Sequence, residues 1–150
     1  MATTIASPAA LPDHVGQALG TTDWIAIEQD RVNQFADATG DHQWIHVDVE
    51  KAAAGPFGGT IAHGFLTLSL IPLFLEETVD VQDVTAALNY GLNKVRFPSP
   101  VKVGSRVRAT VTLSGATAKP AGIETVFTVA VEVEGSDRPA CIAESVVLYR

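Results

Sequence analysis

Gly58-Gly59-Thr60-Ile61-Ala62-His63-Gly64-Phe65-Leu66-Thr67-Leu68-Ser69-Leu70-Ile71-Pro72-Leu73-Phe74-Leu75 is the most apolar run of the chain, and its reading decides the fold. No charge occurs from Phe65 to Leu75, and large apolar residues fall on every side of a 3.6-residue wheel. That pattern predicts a helix buried all round. The run is shorter than the about 20 apolar residues that a bilayer requires, so it is expected to form a core helix with the rest of the chain wrapped around it. Gly58, Gly59 and Gly64 lie before and at its start, where unpaired backbone N–H groups and the positive end of the helix dipole suit a developing negative charge. The same glycines also suit a plain tight turn. Pro72 inside the run is expected to bend the helix, unless the first turn starts late.

Upstream, Val32, Phe35, Ala36 and Thr39 recur at helical spacing, which predicts a helix over 28–39 stopped by Gly40. Asp41 to Asp48 then forms a polar loop interrupted by Trp44 and Ile45, and Asp48 is placed to cap a brief helix ending at Gly55-Pro56. Thr21 to Ile27 has the β-branched and aromatic character of a short strand. Residues 1–20, rich in Ala, Pro and Gly, are expected to be a loosely attached lead-in. Downstream of Leu88 the character changes. Val107, Ala109, Val111 and Leu113 alternate with Arg106, Arg108, Thr110 and Thr112. Ile123, Thr125, Phe127, Val129, Val131 and Val133 repeat the period of two. With Ala140 to Tyr149 these predict four or five antiparallel strands, giving an α+β domain whose sheet packs its apolar face on the helix.

A length of 150 residues with 47% hydrophobic content suits one domain over 1–150. The formal net charge of −7 argues against nucleic acid and anionic membrane as partners. It is unevenly spread: residues 84–123 hold six Lys or Arg and no Asp or Glu, so they carry +6, and the total of −7 leaves −13 elsewhere. That basic segment suits a phosphorylated ligand, and equally a solvated strand face. One cysteine, Cys141, excludes an internal disulfide and fits a reducing cytoplasm, with no signal-like N-terminus. Cys141 itself is expected in the core.

Asp41 and His46, five residues apart after a helix end, can be presented to one ligand, where a carboxylate and an imidazole together deprotonate a water and return a proton. Alone the pair does not distinguish a site from a polar surface. Thr39-Gly40-Asp41, His46 and Gly59-Thr60-Ile61-Ala62-His63-Gly64 taken in order do: from about Asp23 to Tyr149 the sequence resembles the MaoC-like dehydratases, or R-specific enoyl-CoA hydratases, whose signature is Gly-Asp with His five residues on. The resemblance implies the hot-dog fold, an antiparallel sheet around a long central helix, with subunits pairing as a homodimer. It implies reversible addition of water to a trans-2-enoyl-CoA, with Asp41 and His46 activating the water and the Gly64 N–H holding the oxyanion. Coenzyme A would then be part of the substrate, with no further cofactor. The usual loop, Asp-x-Asn-Pro-x-His, has Gln43 and Trp44 here in place of Asn and Pro, and Pro72 replaces a serine of some members.

Asn89, Tyr90 and Asn93 are polar residues in a segment otherwise suited to a core strand, where they either line the substrate site or bond neighbouring backbone. Lys94 and Arg96 are candidates for the coenzyme A phosphates, and His63 for substrate contact or a fixed structural place at the helix start. His42, His46, His63, Asp41 and Asp48 match no common zinc spacing, so no metal is expected. A thioesterase on the same fold and a non-catalytic acyl-thioester module remain as alternatives.

Overall fold

The computed structural model describes residues 2–150. The chain runs β1 (Thr3–Ile5), a 3-10 segment over Pro8–His14, β2 (Ala18–Thr21), β3 (Ile25–Ala26), α1 (Gln29–Thr39), α2 (Trp44–Val47), α3 (Val49–Ala53), α4 (Gly64–Ser69) and α5 (Ile71–Thr78). It continues through β4 (Val79–Val81), β5 (Ala87–Arg96), β6 (Arg106–Lys119), β7 (Gly122–Val133) and β8 (Pro139–Tyr149). Six strands form one antiparallel sheet in the order β2-β6-β7-β8-β5, with β3 also paired to β6. β1 and β4 make a separate parallel pair.

The period of two is realised as read. Val107, Ala109, Val111 and Leu113 are fully buried and lie opposite Val133, Val131, Val129 and Phe127 of β7. This apolar face packs on Leu66, Leu70, Ile71, Phe74 and Leu75 of the helical layer in one continuous core. The architecture is the hot-dog fold, with α4 and α5 as the enclosed element.

Four expectations need correction. The central run is two helices, because the chain tightens at Leu70, whose amide bonds the Thr67 carbonyl at 3.2 Å. Pro72 then falls in the first turn of α5, where a missing N–H leaves no bond unmade. Nor is the run buried all round: Phe65 is 68% and Leu73 36% exposed, since the sheet covers one side of the helices only. Residues 3–21 are no loose lead-in. Ile5 and Leu11 are completely buried, and β1 bonds β4 while β2 extends the sheet beside β6. The core strand expected around Asn89 is an edge strand instead. β5 pairs only with β8, with register breaks at Asn89/Gly91 and Leu92/Lys94, and all its residues but Val95 are exposed.

The basic segment is also half neutralised. Arg106 pairs with Glu134, Arg108 with Glu132, and Lys119 with Glu124 at 3.8 Å, all carboxylates of β7 or the turn after it. Among the described residues this leaves Lys94, Arg96 and Lys102 as its cations without an ion-pair partner. No helix among them is long and apolar enough to cross a membrane.

Because Leu11 is fully enclosed, Leu11→Ala is expected to lower stability by about 2–5 kcal/mol in urea unfolding, as for other core truncations. A change within error would restore the loose lead-in.

Candidate active site

Helix α1 stops where the site begins. Gly40 takes the left-handed conformation at φ 86°, donates its N–H to the Ala36 carbonyl at 2.8 Å, and delivers Asp41 at the helix end. The expected polar loop holds the single turn α2, which swings His46 inward until it is 6% exposed. There the Ile61 N–H donates to the Ile45 carbonyl at 3.0 Å, and the Ile61 carbonyl lies 2.7 Å from His46 Nδ1. A carbonyl only accepts, so Nδ1 carries the proton and Nε2 presents a bare lone pair. Burial pushes the His46 pKa below its ordinary 6.5; the Ile61 bond opposes this, His63 adds to it, and Asp41 opposes it. The ring is therefore a neutral base near neutral pH.

His63, 3% exposed, stacks on His46 with ring centroids 3.8 Å apart and 23° between planes. Its Nε2 donates to the Asp41 carbonyl at 2.9 Å, and Nδ1 is buried with no partner. The donor atoms of Asp41, His46 and His63 lie within 4.8 Å of one another. Gly64 opens α4 ahead of the helix ladder, whose first bonds run from the Leu66 and Thr67 amides to the His63 carbonyl. Gly64 itself is exposed. A Cβ on Gly64 would stand 3.3 Å from the Phe97 ring, which glycine avoids.

Asp41, His46, His63 and Gly64 line one cavity of about 520 Å³, closed on its apolar side by Phe35, Phe65 and Phe97. The residues expected on β5 do not line it. Asn89 and Tyr90 border a separate groove of about 340 Å³ against Leu68 and Pro72, and Asn93, Lys94 and Arg96 are exposed along the strand. Trp44 lies over Gly55, beneath the Lys51 ammonium at 4.6 Å from the ring.

Of the five possible metal ligands three converge, while His42 sits 3.9 Å from Asp37 at the surface and Asp48 caps α3 through the Lys51 N–H at 3.1 Å. The two rings are stacked 23° from parallel, and each holds a backbone carbonyl through one nitrogen, which leaves His46 Nε2 and His63 Nδ1 as the nitrogens without such a bond. Cys141 is a core thiol, buried completely and pushed up to about 11.

Sequence reading missed the clamp on this loop. Gln29 donates to the His46 carbonyl at 2.8 Å and to Asn33 at 2.9 Å, and accepts from the Thr60 hydroxyl at 2.6 Å. It also missed Phe97, whose only signal was an aromatic residue before a Pro-Ser-Pro turn.

The sheet wrapped on α4 and α5 defines a hot-dog protein. Residues 11–135 match the model of the MaoC like domain, and the chain belongs to that family of dehydratases, which are hydro-lyases. It is 57% identical over 147 residues to the 3-hydroxyacyl-thioester dehydratase Z of Mycobacterium tuberculosis, covering 97% of each chain. It is 48% identical over 147 residues to nodulation protein N of Rhizobium leguminosarum bv. viciae, covering 96% of this chain and 91% of that one. The solved R-hydratase PhaJ1 from Pseudomonas aeruginosa shares the fold at a TM-score of 0.78 and 22% identity, over 97% of this chain and 86% of that one.

The lowered His46 pKa fixes a sign for stability. Below pH 6.5 the unfolded ring binds a proton that the folded ring resists, so stability is lost as pH falls from 6.5 through the folded value. An NMR titration of the His46 ring is expected to give a midpoint below 6.5, and His46→Gln to flatten the stability slope across that window.

Proposed function

We propose that this chain is an R-specific enoyl-CoA hydratase, equally a (3R)-3-hydroxyacyl-CoA dehydratase in reverse. One observation carries the reading: the Asp41 carboxylate, the His46 imidazole with its Nδ1 held by the Ile61 carbonyl, and the glycine that opens α4 line the same cavity. The dehydratase activity in the name of its Mycobacterium tuberculosis relative agrees with it.

In this reading a water is held between Asp41 and His46. His46 Nε2 takes one proton from the water as its oxygen bonds to the β-carbon. The π electrons move to the thioester oxygen, which becomes an enolate held by the Gly64 N–H. A fixed donor at that point is worth about 3 kcal/mol in related oxyanion holes. The enolate then collapses and takes that proton back from the His46 imidazolium at its α-carbon, which returns His46 to its neutral form and adds H and OH overall. Dehydration is the same path reversed. No cofactor is needed beyond the coenzyme A that the substrate itself carries, and the setting is the cytoplasm. His63 borders the cavity in which the substrate is placed. Lys94 and Arg96, exposed without ion-pair partners, are assigned to the coenzyme A phosphates, while Asn89, Tyr90 and Asn93 stand outside the cavity and take no part in this reading.

The same reading places two copies together at β5. An edge strand with open N–H and C=O groups and exposed Leu88, Tyr90 and Leu92 is a template for pairing with another strand.

Purified protein is expected to bleach the conjugated-enoyl absorbance of crotonyl-CoA without releasing free thiol. Thiol release would mark a thioesterase, and neither signal a binding module. Asp41→Asn and His46→Gln are each expected to reduce kcat by about 10²–10⁴ with the melting transition retained, as for loss of a positioned acid or base. Retained activity in either removes that residue from the mechanism. In light scattering the protein is expected at twice its chain mass and the double variant Leu88→Lys, Leu92→Lys at chain mass; a monomeric starting protein would overturn the pairing.

A further inference from the structure

We infer that His63 is a positioning residue for the Asp41–His46 pair, its ring bracing the His46 imidazole and its Nε2–H fixing the Asp41 backbone. The inference rests on the hydratase reading for what the pair does, but not for the geometry.

The Asp41 carbonyl accepts from His63 Nε2 at 2.9 Å, so the proton is on Nε2 and Nδ1 holds a bare lone pair. That Nδ1 has no partner and no access to water. A buried acceptor without a donor disfavours the folded state, so filling space does not account for a histidine at this position. An apolar ring of the same size would pack there without the orphaned atom.

What an apolar ring lacks is the N–H donor. Asp41 follows directly on Gly40, and its carboxylate is 53% exposed and held locally only by the Gln43 amide at 3.3 Å. The link to His63 Nε2 is the long-range tie from this residue to the helix start, across 22 positions of sequence. His46, in turn, is fixed along one edge by the Ile61 carbonyl and across its face by the His63 ring at 3.8 Å. Phe35 backs His63 at 4.8 Å with planes tilted by 52°, so the bracing ring is itself held. One side chain therefore sets both the height of the carboxylate and the swing of the imidazole.

His63→Phe and His63→Gln separate this role from packing. His63→Phe is expected to melt at or above the starting protein, to lower crotonyl-CoA turnover by at least about tenfold in kcat with KM nearly unchanged, and to speed amide hydrogen exchange at residues 40–43, because small displacements of reacting groups weigh heavily on rate. His63→Gln, which can donate to the Asp41 carbonyl, is expected to recover part of kcat and of the protection. Full kcat with unchanged exchange in His63→Phe overturns the inference. So does failure of His63→Phe to fold, because the histidine would then serve the fold itself. Absence of turnover in the unsubstituted protein would refute the hydratase reading alone, while exchange at 40–43 still decides whether His63 holds Asp41.

Discussion

The extended segment Thr60–Ala62 is the tie on which the site depends. On one side its Ala62 N–H reaches the Val101 carbonyl at 2.8 Å and its Thr60 carbonyl takes the Val103 N–H at 3.0 Å. On the other, Ile61 donates to the Ile45 carbonyl and accepts from His46. Three consecutive residues thus join the chain between β5 and β6, the single turn α2 and the start of α4. Loop flexibility would otherwise leave Asp41 and His46 to sample many separations. Here His46 is held by the Ile61 carbonyl, and Asp41 by the His63 Nε2–H on its own carbonyl.

The same bonds do electrical work. A histidine at the surface would be partly charged near neutral pH, and its tautomer would exchange freely. Burial disfavours the charge and the Ile61 carbonyl selects the tautomer, so the lone pair is left on Nε2 of a ring that lines the cavity with Asp41. The clamp of Gln29 with Thr60 adds a side-chain version of this constraint from the first turn of α1. The site therefore draws on α1, α2, the Thr60–Ala62 segment and α4, with the sheet serving as the frame that holds them in place.

Much of the architecture was legible in local pattern. Alternation in 106–113 and 123–133 named the buried face of β6 and β7 residue by residue, and Gly40 and Asp48 marked the helix ends at which they stand. Asp41, His46 and Gly64 were legible as a set through spacing and through the family resemblance. Other features depend on what lies across the fold. The apolar character of 58–75 said that the run seeks cover, yet Phe65 and Leu73 remain exposed because one sheet has one concave face. The segment around Leu88 and Leu92 read as suited to a core strand, but the order of strands puts β5 at the edge. Three of the six basic side chains, which the sequence left open between a phosphorylated ligand and a solvated strand face, lie beside carboxylates of β7 or its following turn.

Sequence by itself determined the long strands and their buried faces, the helix ends at Gly40 and Asp48, and the candidate groups of the site, since these follow from periodicity, capping and side-chain chemistry within short windows and from the family resemblance. Only the tertiary structure decided that α2 turns His46 inward, that His63 stacks on it with one nitrogen unpaired, and that β5 stays uncovered. Those outcomes require groups tens of residues apart to meet. No local window records which carbonyl will meet which imidazole, because that choice belongs to the packing of the whole chain.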